Sequence, residues 1–356
     1  MDRNNGQAFD RSSAAGIRQA GASAIQTDQI RAATLYRNPG DLCVILCLFN
    51  VGQSREKLRN FAFCHSLFRM SGIPLVLVEC AFGNDLWVLD PGPGVARLRT
   101  STALWQKERL INRGLALVPD RCTKVAWIDA DVLFQNPEWA VAASERLEDL
   151  AVVQLADRIV RLPRGVREYN GTGEVWESFG AVYVEHPNSL LLGDFGLHGH
   201  TGLGWAARRS VLAHTGLYDA CIAGGGDHVM AHAFCGDWES PCLTRMMGSG
   251  SHWHHHAAVW AANVYPLVHA RLGVVAGAAL HLWHGDLASR RHVRRHEALR
   301  DARFDPDRDL EPDENGCWRW ASYKPVLHAA LGDYLMSRRC EAENATGLAG
   351  NPAEPR

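Results

Sequence analysis

"KVAWIDADVLF", residues 124–134, runs an apolar stretch into Asp129 and Asp131 with only Ala130 between them, then turns apolar again. A stretch such as VAWI reads as a buried strand, and in a strand residues two apart point to the same side. On that reading Asp129 and Asp131 project together from the strand end. Two carboxylates so close repel unless one keeps its proton or a cation lies between them. A single polar turn residue after a core strand is commonplace; a D-x-D pair there points to a divalent metal.

The elements around this stretch set the fold class. "LCVILCLFN" (42–50) and "IPLVLVEC" (73–80) are continuous apolar runs with Cys and β-branched residues, the pattern of strands buried on both faces. Between them Ser54 is placed to cap a helix carrying Leu58, Phe61, Cys64 and Phe68 on one stripe. "ALWQKERLINRGLALVP" (103–119) reads as a helix with Leu104, Ile111 and Leu115 inward, stopped by Pro119. Strand and helix alternating in this order predict an α/β fold with a mostly parallel sheet, and ligands at the carboxyl ends of its strands. Asn50, Glu79 and the two aspartates fall at those ends.

The second half is less regular. "AVVQLAD" and "FGAVYVEHP" read as strands, "GLGWAARRSVLAHTGLYD" as a turn entering a helix, and "IAGGGDHVMAHAFCG" as a glycine loop entering another. "AALHLWHGD" is a strand ending in histidines, and "SRRHVRRHEALRDARF" a basic helix after it. Residues 1–38, polar and rich in Ala, Gly and Ser, are expected to be a flexible tail. Residues 39–140 then form one half of a single domain, 141–300 its second half, and 301–356 a C-terminal extension.

Composition narrows the function classes. The chain has 356 residues, 47% hydrophobic and 21% charged, with a formal charge of −2. That balance offers no basic footprint for nucleic acid or an anionic membrane. No apolar run approaches the roughly 20 residues that span a bilayer. The opening MDRNNGQAFDRSSAAG shows no apolar signal-peptide core. The ten cysteines contain no C-x-x-C pair, which argues against a structural zinc site or redox motif and fits reduced thiols in a cytoplasm.

An apolar strand ending in D-x-D also occurs in haloacid-dehalogenase phosphatases, but the second position after the pair is there usually Thr or Val, and here it is Leu133. The ordered set "LWQKERLINRG", "VAWIDADVLF", "GWAARRSVLAHTGLYD…GGGDH" and "HLWHGD" resembles the nucleotide-sugar glycosyltransferases of the GT-A fold across residues 42–300. Its order is similar to that of the β-1,4-galactosyltransferase and polypeptide N-acetylgalactosaminyltransferase groups, and to phage and bacterial glycosyltransferase-like proteins. Each motif alone is weak; the ordered set is specific.

The resemblance implies a site. Asn50 and Arg55 match the first strand end and helix start that meet the nucleotide, and Glu79 an acidic position that contacts base or ribose. Trp105 and Lys107 match an aromatic-x-basic pair beside the nucleotide, and Asn112 the Asn of that helix. A cation and an aromatic face suit a diphosphate and a uracil. Asp129, Gly225 and Gly226 belong to the donor site. The implied metal, Mn²⁺ or Mg²⁺, is held by Asp131 with His284 and His281, where the galactosyltransferases carry a histidine and a methionine. Asp227, the acid left in "GGGDH", matches the stretch that supplies a general base toward the acceptor hydroxyl, with His228 next in line.

The implied activity is transfer of a hexose or N-acetylhexosamine from a UDP-sugar to a hydroxylated acceptor, with inversion. An Ala/Arg/Gly-rich composition suggests a GC-rich genome, and with it an aminoglycoside-type acceptor from antibiotic biosynthesis. Surface polysaccharide and modified phage DNA remain alternative acceptors. A non-catalytic carbohydrate- or nucleotide-binding module and a metal-dependent nucleotidyl- or phosphotransferase remain alternative functions. The run "HWHHH" (252–256) has no matching ligand set and reads as a solvated polar face. Arg290, Arg291, Arg294 and Arg295 read equally as a phosphate contact or an exposed helix face.

Overall fold

The computed structural model describes residues 29–186, 198–285 and 294–344. Its centre is a seven-stranded sheet containing β2 (Leu42–Phe49), β3 (Leu75–Phe82), β4 (Val95–Thr100), β5 (Lys124–Ile128), β7 (Val152–Gln154), β11 (Gly204–Arg208) and β12 (Leu272–Val274). The order across the sheet is β12-β7-β11-β5-β2-β3-β4. All neighbours run parallel except β11, which is antiparallel to both β5 and β7. The sheet is α/β as expected, but the expected strand-helix alternation is interrupted by β4, which follows β3 with no helix between them.

The buried strands serve two cores at once. On β2, Leu42, Val44, Leu46 and Leu48 face the side covered by α1 (Arg55–Met70) and α3 (Trp139–Asp149). Cys43 and Ile45 face the other side, with α2 (Lys107–Gly114), α5 (Arg209–Thr215), α6 (Gly226–Cys235), α7 (Pro241–Met247) and α8 (His252–Val268). Burial on both faces is why this run is continuously apolar instead of alternating. Ser54 caps α1 through its hydroxyl as expected, accepting from Lys57 N.

A second, four-stranded sheet has the order β10-β8-β13-β6, from β6 (Val132–Phe134), β8 (Arg158–Arg161), β10 (Glu174–Glu177) and β13 (Ala278–His281). β6 and β13 pair antiparallel with His281 opposite Val132. The chain leaves the main sheet at Ile128, turns through residues 129–131 and enters the second sheet at Val132. The D-x-D is thus the joint between two sheets.

Several expectations need correction. "FGAVYVEHP" is a helix, α4 (Phe179–Glu185), because Ser178 accepts from Ala181 N and Gly180 N–H donates to the Gln154 side chain. An apolar run this short does not declare its period. The helix expected over 103–119 begins only at Lys107. Before it, Trp105 N–H is taken by Ile222 O, and the Gln106 side chain exchanges two hydrogen bonds with the backbone of Trp318, so neither joins a helix. Gly204–Arg208 is strand, with the helix following at Arg209.

The expected tail falls outside the described residues over 1–28. Residues 29–38 are anchored instead by two buried side chains, Ile30 and Tyr36. Ile30–Arg31 (β1) pairs with Glu168–Tyr169 (β9), and Tyr36 is 2% exposed among Phe68, Phe134 and Trp139. The C-terminal segment is equally bound in: Leu310, Cys317, Leu327 and Leu331 belong to the core under α2. Arg109 stacks on Trp318 with its guanidinium carbon 4.0 Å from the ring centroid.

The Tyr36 hydroxyl accepts the Phe134 N–H at 2.9 Å inside this buried group. Tyr36→Phe keeps the ring packing but strands that amide, so it should lower unfolding free energy by about 1–3 kcal/mol. Urea unfolding measures it, and an unchanged midpoint would mean that the segment before β2 is not held in the core.

Candidate functional site

The site forms where the D-x-D turn meets the start of α2 and the glycine loop before α6. Residues 129–131 form a turn, so Asp129 and Asp131 do not share one face of a strand as the period-two reading expected. Each carboxylate has its own cationic or imidazole partner. Asp129 Oδ1 lies 3.0 Å from Lys107 Nζ. Asp131 lies 3.1 Å from His284 Nε2 and 3.6 Å from His281 Nε2.

Asp131, His281 and His284 offer one ligand atom each, all within 4.8 Å of one another. The β6–β13 register brings them together: Leu282 N–H donates to Asp131 O at 2.9 Å, fixing the histidine-bearing strand end against the turn. The side chains are 16%, 6% and 9% exposed, so the group is nearly closed on the protein side. One carboxylate and two imidazoles fit Mn²⁺, which takes nitrogen as well as oxygen donors. They fit Mg²⁺ less well, since it prefers oxygen and retains waters.

Lys107, the first residue of α2, joins two further segments. Its ammonium lies 2.6 Å from Asp227 Oδ2 as well as 3.0 Å from Asp129, and 3.9 Å from Glu108 Oε1. Burial acts to pull the Lys107 pKa down, but Asp129, Asp227 and Glu108 together hold it well above the usual lysine range. Burial raises Asp129, against the opposing pull of Lys107, with Asp227 and Asp131 adding to the rise. The ammonium is therefore a fixed positive charge between two carboxylates.

The glycines before Asp227 have a local reason. Gly225 has φ +98°, in the left-handed region. A Cβ on Gly226 would lie 2.5 Å from Glu108 Cδ. Close backbone approach at Gly226 is thus required by Glu108 within the chain. Glu108, 2% exposed, was missed because a Glu in the first turn of a helix ordinarily signals nothing beyond a favourable dipole contact.

Of the other expected residues, Glu79, Asn112 and Asn50 bond to backbone. Glu79 is 3% exposed, and its two oxygens accept from Val88 N and Leu89 N at 2.7 and 2.8 Å. It staples the segment after β3 and is not at a strand end, since β3 runs on to Phe82. Asn112 copies a backbone pairing with Leu217, accepting its N–H at 2.7 Å and donating to its carbonyl at 2.9 Å, and also donates to Asp219. It joins α2 to the 217–219 segment. Asn50 clips the turn after β2, exchanging hydrogen bonds with Ser54 backbone at 3.0 and 3.1 Å. Arg55 is exposed at the start of α1, and Trp105 is half-buried at the entry to α2.

His228 is 3% exposed and turns into a buried group with His198, His232 and Cys242, away from the acceptor role considered for it. His200 and Asp227 both border Gly202, where a Cβ would lie 3.2 Å from His200 Cε1 and 3.5 Å from Asp227 Oδ2. The sequence offered only "HGH" as a signal for His200. In the "HWHHH" run, His252 and His255 are exposed, but His254 is 5% exposed with Nε2 3.2 Å from Trp238 O, so the run is not one solvated face. Arg290 and Arg291 lie outside the described residues, as does the side chain of Arg294; Arg295 packs beside Gly224.

No family model and no curated protein matches the chain. Solved structures are similar to it at a low level. The catalytic domain of Drosophila β-1,4-galactosyltransferase 7 with xylobiose is 12% identical, over 58% of this chain and 63% of that one, with a TM-score of 0.30. Glucosyl-3-phosphoglycerate synthase from Mycobacterium tuberculosis, with Mg²⁺ and UDP, is 14% identical over 76% and 82%, with a TM-score of 0.35. S. aureus TarS 1–349 with UDP-GlcNAc is 12% identical over 74% and 66%, with a TM-score of 0.38. Likeness this slight assigns no family, and the functional reading rests on the site.

Burial, opposed by Lys107, pushes the Glu108 carboxyl from 4.5 up to about 8. A carboxyl raised on folding stays protonated in the folded chain while the unfolded chain loses its proton, so stability falls as pH rises through that window. Glu108→Gln keeps the shape of the protonated acid and has no such window. The stability of the native protein relative to this variant should therefore decline between pH 4.5 and about 8 and then level off. Urea unfolding of both across that range measures it; parallel profiles would mean that Glu108 ionises freely in the fold.

Proposed function

We propose that the protein is a metal-dependent glycosyltransferase that moves a hexose or N-acetylhexosamine from a UDP-sugar to a hydroxyl of a small glycoside acceptor, with inversion. The observation that carries this reading is the adjacency of two groups across one three-residue turn. Asp131 sits with His281 and His284 on one side of it, and Asp129 with Lys107 and Asp227 on the other. A binding module needs no second carboxylate poised on the far side of the metal ligands.

When bound at Asp131, His281 and His284, Mn²⁺ supplies Lewis-acid neutralisation of the departing nucleoside diphosphate. The residues of the chain do the rest. Lys107 fixes the Asp129 and Asp227 carboxylates relative to each other. Asn50, Arg55 and Trp105 border the donor side, where Trp105 offers an aromatic surface to the base. Asp227 takes the proton of the acceptor hydroxyl at a carboxylate oxygen as that hydroxyl attacks the anomeric carbon. One base and one displacement give inversion. The acceptor we propose is of aminoglycoside type; a formal charge of −2 gives no basic surface that would favour nucleic acid.

Two variants test the reading. Asp131→Ala should abolish Mn²⁺-dependent hydrolysis of UDP-sugars, screened donor by donor with acceptors then followed by mass spectrometry; full turnover in EDTA would contradict it. Asp227→Asn keeps size and hydrogen bonding but cannot accept the proton, so kcat should fall about 10²–10⁴-fold with UDP affinity unchanged. Near-native turnover would reduce Asp227 to a structural partner of Lys107, and joint loss of rate and UDP affinity would move it to the donor side.

A further inference from the structure

A second cluster lies behind the site and shares no residue with it. His198, His228, His232 and Cys242 are 1%, 3%, 0% and 2% exposed, and each offers one ligand atom within 4.8 Å of the others. They come from three separate places: the segment before β11, one face of α6, and the start of α7. His228 and His232 are four apart on a helix, the spacing that sets two imidazoles on one side. Their ring centroids are 4.8 Å apart, and His198 lies 4.9 and 5.1 Å from them. Cys242 Sγ is 3.2 Å from His232 Nε2.

The outer contacts orient these rings inward. His232 Nδ1 lies 2.9 Å from Asp237 Oδ2, which directs Nε2 to the centre. His198 Nδ1 lies 2.8 Å from Gly199 O, which does the same for its Nε2. A carboxylate or carbonyl behind an imidazole is the usual support of a metal-bound histidine, fixing both tautomer and ring direction. Phe179 packs against His198 and His232 at 5.7 and 5.4 Å and walls off the group.

We propose that His198, His228, His232 and Cys242 form a closed structural zinc site. Zinc takes imidazole and thiolate in tetrahedral sets, at bond lengths that place the ligand atoms roughly 3.3–3.7 Å apart. The Cys242–His232 pair, at 3.2 Å, is already near that spacing, and all four atoms lie within 4.8 Å of one another. Four protein ligands and full burial leave no open position for substrate, which makes the role structural. The ion ties the first turn of α6, where Asp227 precedes His228, to the segment entering β11 and to α7. The missing C-x-x-C pair does not argue against zinc here, because the ligands are gathered by the tertiary fold.

The test uses the full chain with Asp131→Ala, which removes the other cluster. Protein grown with zinc and exchanged into chelator-free buffer should retain one zinc per chain by elemental mass spectrometry, and Cys242→Ala in that background should lose it. Because the cysteine variant can also fail to fold, the Asp131→Ala protein is reconstituted with Co²⁺ as well. A sulfur-to-cobalt charge-transfer band and intense tetrahedral visible bands are expected. Substoichiometric zinc in folded protein, zinc retained by the cysteine variant, or bound Co²⁺ without a thiolate band would each overturn the proposal, leaving a hydrogen-bonded His–Cys cluster.

Discussion

The Lys107 ammonium, 15% exposed and held between Asp129 and Asp227, is the contact on which the arrangement of the site depends. It ties the turn after β5, the start of α2 and the loop before α6 to one point. A buried charge is tolerable only with its partners, and losing one typically costs about 3–5 kcal/mol. The surroundings follow from that constraint. Helix α2 begins at Lys107, after residues whose hydrogen bonds go to Ile222 and Trp318. The loop must come close enough for Asp227 to reach the ammonium, so Gly226 lies against Glu108 where no side chain fits.

The same turn divides its two aspartates between different chemistries. Asp129 follows β5 of the main sheet and Asp131 precedes β6 of the second sheet. Each carboxylate has its own neighbour, the Lys107 ammonium for Asp129 and the His281 and His284 rings for Asp131. That division gives the proposed transferase separate places for a diphosphate and for a proton acceptor, held at a fixed spacing by three residues of backbone.

Much of this was legible in the chain. Strands β2, β3 and β5 announce themselves as apolar runs because they are buried on both faces, and the resemblance named His281 and His284, which the β6–β13 register brings beside Asp131. The remainder depends on contacts that no local pattern encodes. Glu79 and Asn112 resemble site residues by position, yet their side chains serve the backbone of Val88, Leu89 and Leu217. Glu108 acquires its character from burial under Gly226. The His–Cys cluster is drawn from residues 198 to 242, so its spacing carries no motif. Tyr36 reads as part of a polar tail until Phe68, Phe134 and Trp139 are seen to enclose it.

The central claim is that Asp131, His281 and His284 hold the metal that meets the nucleoside diphosphate. Pulsed electron paramagnetic resonance on Mn²⁺ bound together with UDP reads this directly, because it resolves both imidazole nitrogen and phosphate phosphorus near the ion. The account predicts nitrogen couplings from two histidines alongside phosphorus coupling, with the nitrogen signal halved in His281→Ala and in His284→Ala. Phosphorus coupling with no nitrogen coupling, or nitrogen coupling untouched by both substitutions, would contradict it.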